Sequence, residues 1–482
     1  MRFAAQRYGT WEWLDLELPL DTDGPEYVLS SYGIMEGTIA PELGRATAED
    51  GRLVLEEWGT LIHVEFGERD RRWTGIVVES KLQGKEWNVT VHEFPGYADG
   101  TPVESLVRGV KDDPADLIRQ IWLDMQLMPN AYLGVTVVGS TGVTIGTDSD
   151  DKVAAARAVL DARQQTYNTL TKTKNTETKE LQDMTATLAD EVDIARKNLA
   201  SAQATLTQLI KDNASSAQIE AARLAVVERK GTLADAQTAY TAETNAKKNT
   251  LKAAKTNKDA AQKAVDAARK AYDAAKDKAQ EDGGAYEIRP EDTPDAHQSI
   301  KDLCDAASIE WKTSTKWTTG EPELKIEVAY PRIGSQRRDL VFEQGVNIIS
   351  ELDLVRARDY ANAAIGVGAG EGSKAVRSSI ANTTKRMRRV AVVEDKSLKK
   401  ATQLTPIMRQ ELKTRSGEPY VASITVVDDP LAPIGSWSVG DDILVSGDVP
   451  HYGRYSKYHR IVSWQMKGET QAELTLELAE NS

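Results

Sequence analysis

The 482-residue chain has one cysteine, Cys304, four phenylalanines and five histidines. A single cysteine excludes an intrachain disulfide and fits assembly in a reducing compartment. Residues 300–307 around it read as helical, so Cys304 is expected to be a small buried apolar residue, not a nucleophile. Residues 1–20 alternate charge and apolarity without the apolar core of a secretion signal. No apolar run is long enough to span a membrane. The expectation is a chain neither secreted by a standard signal nor inserted in a bilayer. Basic charge is scarce too: 60 Lys and Arg stand against 74 Asp and Glu, a net charge of -14. Affinity for nucleic acid rests on cations neutralising phosphates, so this balance argues against nucleic-acid binding as the main task. One local exception, Lys385, Arg386, Arg388 and Arg389 with Lys396, Lys399 and Lys400 beyond, reads as a solvated face or an inter-subunit strip.

The most informative absence is local. Between Thr147 and Asp282 there is no proline, tryptophan or phenylalanine, and only one glycine, Gly231. Apolar residues recur there every seven positions, through Val153, Leu160, Tyr167, Leu181, Leu188, Ala195, Ala202 and Leu209. A companion series at Ala156, Leu170, Met184, Val192, Leu199 and Leu206 falls on the same helical stripe. Lys174 and Glu177 interrupt the two series. The pattern resumes at Ile219, Val226, Leu233 and Tyr240 and continues through Ala254, Ala261, Ala268 and Ala275. Between the arms, Asn213 suits the left-handed residue that ends a helix, and Ser215 with Gln218 reads as a capping box. This predicts two antiparallel helices of roughly 60 residues, a rod about 90 Å long at 1.5 Å per residue. The threonine-rich stretch 166–178 is its weakest part, where a kink or fray is expected. Arms of similar length suggest an insertion into a host domain, entered at residues 146–150 and left at 282–284.

The flanks are different. Residues 11–18, 61–66, 72–79 and 87–93 alternate with period two between glycine-containing turns, which suggests a small barrel or sandwich. A helix is expected from Asp113 and Pro114, burying Leu117, Ile118, Ile121 and Trp122. A second capped helix starts near residues 293–300, followed by a strand at 323–330. The last section reads as β throughout. The predicted fold class is α+β: a β-barrel-rich multidomain chain with a long antiparallel helical-hairpin (coiled-coil) insertion. The predicted division is 1–103, an N-terminal β-barrel; 104–149 with 283–339, an α+β middle domain; 150–282, the hairpin; and 340–482, a C-terminal barrel-rich domain.

The order of barrel, helix-bearing middle, "DYANAAIGVGAGEG" (359–372), "VGDDILV" (439–445), "HRIVSWQM" (459–466) and "AELTLEL" (472–478) resembles a known family. It is similar to the tail-tip hub proteins, or minor tail proteins, of long-tailed non-contractile actinobacteriophages, themselves like the baseplate hub of contractile phages. The resemblance covers most of both flanks, is clearest after about residue 340 and leaves out the rod. It implies a structural virion protein, a homotrimer whose two barrels per subunit form a pseudo-hexameric ring continuing the tail tube. It implies neighbours such as the distal tail protein, the tape measure and a central fibre, and a lumen that DNA crosses without specific binding. It also implies a place at the virion tail tip after assembly in the bacterial cytoplasm.

Other chemistry fits poorly. The glycines at 366, 368, 370 and 372 invite a dinucleotide reading, but Glu371 or Ser373 stands where the third glycine of the fingerprint belongs. None of His63, His92, His297, His451 and His459 has metal-ligand spacing. The aromatic-basic segment around His451, Tyr452, Arg454, Tyr455, Lys457 and Tyr458 reads as a hairpin or a contact for sugar or a partner subunit. The runs 21–24 and 148–151 lack a full calcium-loop pattern and read as a turn and a helix cap. Ten tryptophans in alternating strands read as core or interface. No residue is assigned a catalytic, cofactor-binding or metal-binding role, and no enzyme activity is expected. The alternative is a carbohydrate-binding or cell-wall-degrading receptor-binding tail protein, which requires exposed aromatics in one groove beside two carboxylates. A third reading, a coiled-coil adaptor, predicts parallel dimers held by the rod.

Overall fold

The computed structural model describes every residue except 67–70, 319–320, 356–359, 369–374, 395–397, 399–400, 416, 418 and 480–482. The chain divides into two compact units, Met1–Asp148 with Glu281–Ser482, and Ser149–Gln280.

In the first unit, strands β1 (Arg2–Arg7), β2 (Trp13–Asp15), β3 (Asp21–Thr22), β5 (Ile34–Ile39), β6 (Thr60–Phe66), β7 (Arg71–Gln83) and β8 (Glu86–Glu93) form one sheet, ordered β2-β1-β6-β7-β8-β5-β3. A short helix α1 (Pro41–Gly44) precedes β6. The expected strand over 11–18 shrinks to β2: Trp11 takes a left-handed φ of 60°, and the Asp15 carboxylate accepts from the Glu17 amide, turning the chain away. The strand left out of the sheet, β4 (Glu26–Val28), pairs instead with a C-terminal strand, β22 (Gly453–Met466).

The middle of this unit is a sheet of β10 (Val135–Val138), β13 (Glu321–Ala329) and β12 (Glu310–Thr318), flanked by helices α2 (Pro114–Gln126) and α5 (Ala296–Ala307). Asp113 caps α2 by accepting from Ala115 N at 2.9 Å. Asp295 caps α5, accepting from Gln298 N at 2.8 Å. The pair β9 (Val107–Gly109) and β11 (Tyr286–Ile288) joins the segments before and after the insertion.

Beyond residue 335, β14 (Gln336–Glu343), β21 (Asp442–Val449), β22, β23 (Gln471–Leu478) and β20 (Ser423–Val427) form the second large sheet, in that order. Between them lie the short pair β15 (Leu354–Val355) and β19 (Tyr420–Val421), and a three-stranded sheet of β17 (Arg377–Ala381), β16 (Ala363–Val367) and β18 (Val390–Glu394). That sheet is covered by helix α6 (Ala401–Thr414) through Leu404, Met408 and Leu412. The all-β reading of this region missed α6. Its four-residue apolar spacing was visible, but Pro406 sits inside the helix and reads as a breaker.

One core runs through both large sheets. Phe3, Met35, Val64, Trp73 and Val91 from the first belong to the same buried cluster as Phe342, Ile424, Val445, Trp464 and Leu474 from the second. β4 lies at the seam, where Tyr27 stacks on Trp464 at 4.5 Å and the Trp73 indole donates to Glu26 O at 3.1 Å. The opposite face of the first sheet packs Leu61 and Ile76, together with Phe94 just after β8, against the middle helices. At roughly 25 cal/mol per Å² of apolar surface removed from water, these clusters supply the main stabilisation of the unit.

The second unit is helical. α3 (Ser149–Lys211) and α4 (Ser216–Asp282) are each one unbroken helix, so the stretch 166–178 is helical and does not fray. There the Thr166, Thr169, Thr173 and Thr178 hydroxyls each donate to the carbonyl four residues back, so these hydroxyls are satisfied within a continuous helix. Leu160 packs with Val265 and Ala268, Lys247 Nζ lies 2.8 Å from Glu177, and Ala202 shares a groove with Ala222 and Ala225. Rising positions on α3 thus meet falling positions on α4. At the turn Asn213 adopts a left-handed φ of 51°. Ser215 N donates to Gln218 Oε1 and Gln218 N to Ser215 Oγ, the reciprocal capping box.

Candidate functional site

Three buried titratable side chains of the first unit, His63, His459 and Glu93, are held by hydrogen bonds. β6 is covered on both faces, so His63 is buried between Thr74 Oγ1 at 2.9 Å and Gln6 Oε1 at 3.0 Å. Burial pushes its imidazole down to about 3. His459 sits in the second sheet, where its Nε2 accepts from Val421 N at 3.3 Å and lies 3.0 Å from the Tyr455 hydroxyl, and burial lowers it to about 4. The aromatic-basic segment is therefore the hairpin reading: His459 and Tyr455 are core, while Tyr452 at its turn is exposed. Glu93, which no sequence pattern marks, is 1% exposed. Its Oε1 accepts from Thr313 Oγ1 at 2.6 Å and its Oε2 from Gly33 N at 3.1 Å, tying the first sheet to β12. Burial, reinforced by nearby Glu26, raises this carboxyl to about 8.

The other candidates resolve individually. Burial pushes the Cys304 thiol up to about 12, away from thiolate chemistry. Asp23 pairs with Lys467 at 3.1 Å and Asp148 with Lys111 at 3.4 Å. No group of three or more His, Cys, Asp or Glu residues suited to a metal ion occurs among the described residues. No helix among them is long and apolar enough to cross a membrane. Gly366 is packed tightly, since a Cβ there lies 3.0–3.1 Å from Leu404 and Met408; Gly370 and Gly372 fall outside the described residues.

Two kinds of surface remain. A small groove of about 100 Å³ holds Trp13 and Trp317, stacked at 5.3 Å with His63 edge-on to both. The Arg72 guanidinium lies 4.8 Å over Trp317, and Glu65, the one carboxylate lining the groove among the described residues, pairs with Arg72 at 2.8 Å. The basic loop 382–389 is exposed throughout and leads into β18; Lys396, Lys399 and Lys400 lie outside the described residues.

No family model and no curated protein matches the chain. Solved structures that align with it include the 43 kDa tail protein of prophage MuSo2 from Shewanella oneidensis, with a TM-score of 0.48 and 8% identity over 99% of this chain and 98% of that one. They also include prophage tail protein gp18 from Listeria monocytogenes, at 0.47 and 8% over 100% and 96%. A tail protein from Neisseria meningitidis aligns at 0.45 and 10% over 100% and 98%. These three structures, described as tail proteins, share 8–10% of their residues with this chain.

Proposed function

We propose that the chain is a structural virion protein, the central hub of a siphophage tail tip, acting as a homotrimer and not as an enzyme. The observation that carries this reading is the pair of large sheets knit around one core. Each copy brings two comparable β walls, so three copies bring six, which matches a hexameric tube on one side and threefold tip proteins on the other. In this reading the two sheets belong to barrel domains at 1–103 and 340–482, and the α+β domain of 104–149 with 283–339 carries the insertion. Residues 150–282 form an antiparallel coiled-coil hairpin that contacts another tip component. The distal tail protein, the tape measure and a central fibre are its neighbours, and DNA crosses the lumen without specific binding. Copies are made in the bacterial cytoplasm and end in the virion.

The test is electron microscopy of particles made with the chain deleted or lacking 150–281. Tailless or tipless particles without the chain support the hub, and normal infectious tails without it overturn the reading. Unchanged assembly and infection without 150–281 remove only the hairpin's role. The Trp13–Trp317 groove is the feature that favours the glycan-binding alternative. Binding of the purified chain to cell-wall polysaccharide, lost on Trp13→Ala, selects that alternative.

A further inference from the structure

We propose that copies of this chain join head to tail, with the basic loop 382–389 and edge strand β18 of one copy seated on the outer face of α2 of the next. This deepens the homotrimer reading and rests on it only for the number of copies.

The loop is built and not merely exposed. Asn362, itself buried, donates from Nδ2 to Thr384 Oγ1 at 2.8 Å and accepts at Oδ1 from Arg389 N at 2.8 Å. The Arg386 guanidinium lies 4.9 Å over the Tyr360 ring. Fastened from beneath, the loop presents Met387 at 88% exposure between Lys385 and Arg388, neither of which has an ion pair among the described residues. β18 follows, with Val392 65% exposed. In the order β17-β16-β18 its outer edge has no strand beside it among the described residues. An apolar centre rimmed by cations, beside an open strand edge, is the composition of a docking surface. Methionine and valine at its centre suit a protein partner better than a phosphate backbone.

The same chain carries the complement. On α2, Leu123 and Leu127 lie one turn apart and are 56% and 71% exposed, although the opposite stripe of the helix is buried. Residues 104–106 run alongside: Ser105 Oγ donates to Asp124, and Gln120 Nε2 donates to Leu106 O at 3.4 Å. Leu106 therefore joins the two leucines, flanked by Asp124 and by Glu104, which has no ion pair among the described residues. One patch is apolar and basic, the other apolar and acidic. Opposite charges steer such faces together and fix their register. Contact between two different faces of identical copies is heterologous, and it ends in a closed ring when the rotation per copy divides a full turn.

Sedimentation velocity on the full chain, over a series of concentrations and salt levels, tests this. The wild type is expected to self-associate, less so at high salt. A loop variant (Lys385→Glu with Arg388→Glu) and a helix variant (Glu104→Lys with Leu127→Lys) are each expected to stay monomeric. Mixed in equal amounts they are expected to give dimers and nothing larger, because one intact loop meets one intact helix face. That result also shows that both variants are folded. The proposal is overturned by a wild type that is monomeric throughout, by variants that associate like the wild type, or by a mixture without dimers. It is also overturned if the loop variant loses binding to duplex DNA while self-association is unchanged. Association through another surface removes this interface and leaves the tail role standing. Absence of the chain from tail tips removes the tail role whatever the contact.

Discussion

Glu93 is held neutral where two sheets meet, and that choice has a direction in pH. Its carboxyl is raised from 4.5 to about 8 in the folded chain, chiefly by burial. The folded state therefore binds the proton more tightly than the unfolded one. The associated stability is fully present below about 4.5, declines as pH rises and is gone above the folded value near 8. His63 and His459 work in the opposite sense. Burial depresses them to about 3 and about 4, so their contribution is present above about 6.5 and is lost as pH falls through those values. Replacing Glu93 with glutamine keeps the shape and removes the charge. We expect the melting temperature of the wild type to fall between pH 5 and pH 9 relative to Glu93→Gln, by an amount equivalent to a few kcal/mol. Parallel pH profiles for the two proteins would refute the assignment. None of this was legible in the sequence. Period-two alternation in 61–66 implies one wet face, and that face is covered by the middle helices over Leu61 and Ile76 and by Trp13 and Trp317 over His63.

Among the elements, the helices were read well because their signals are local. Ser215 with Gln218, Asn213 and Asp113 each act on residues within a turn or two, and each does what its neighbours dictate. α6 carries two opposed local signals, apolar residues four apart at Leu404, Met408 and Leu412 and a helix breaker at Pro406. The long hairpin is uneven in a way that heptads alone do not convey. Its buried side chains are Ser149, Leu160, Leu188 and Ala195 on α3 and Thr244, Val265 and Ala268 on α4, so residues 196–243 bury none. Ile210, Leu224 and Val227 are exposed within that span. Helical stability comes mainly from packing one face, so the distal third depends most on propensity and on its turn. Amide hydrogen exchange of the isolated chain is expected to be fastest across 196–243 and slowest near Leu160, Val265 and Ala268. Uniform protection along both helices, or slower exchange at the turn, contradicts this.

At the scale of the molecule, the two ends of the insertion are already joined. Thr147 N donates to Gly284 O at 2.8 Å, and Thr147 Oγ1 lies 2.9 Å from Asp282 Oδ1. Replacing 150–281 with a short glycine linker is therefore expected to leave the remaining unit folded, with near-ultraviolet circular dichroism and cooperative melting retained. Loss of that melting transition would show that the body needs its insertion to fold. The merging of the two large sheets was not legible, because no local pattern records a partner at the far end of the chain. β4 finds β22 across almost the whole sequence, and Gln465 donates to Gly24 O from 441 positions away. That pairing sets a schedule for biosynthesis. A ribosome adding about 5–20 residues per second takes roughly 20–90 s to cover the distance. Until it has done so, the first sheet waits with one side of its core uncovered. A chain cut short before β22 thus never seals that core, and it is expected to be exposed to proteolysis and aggregation.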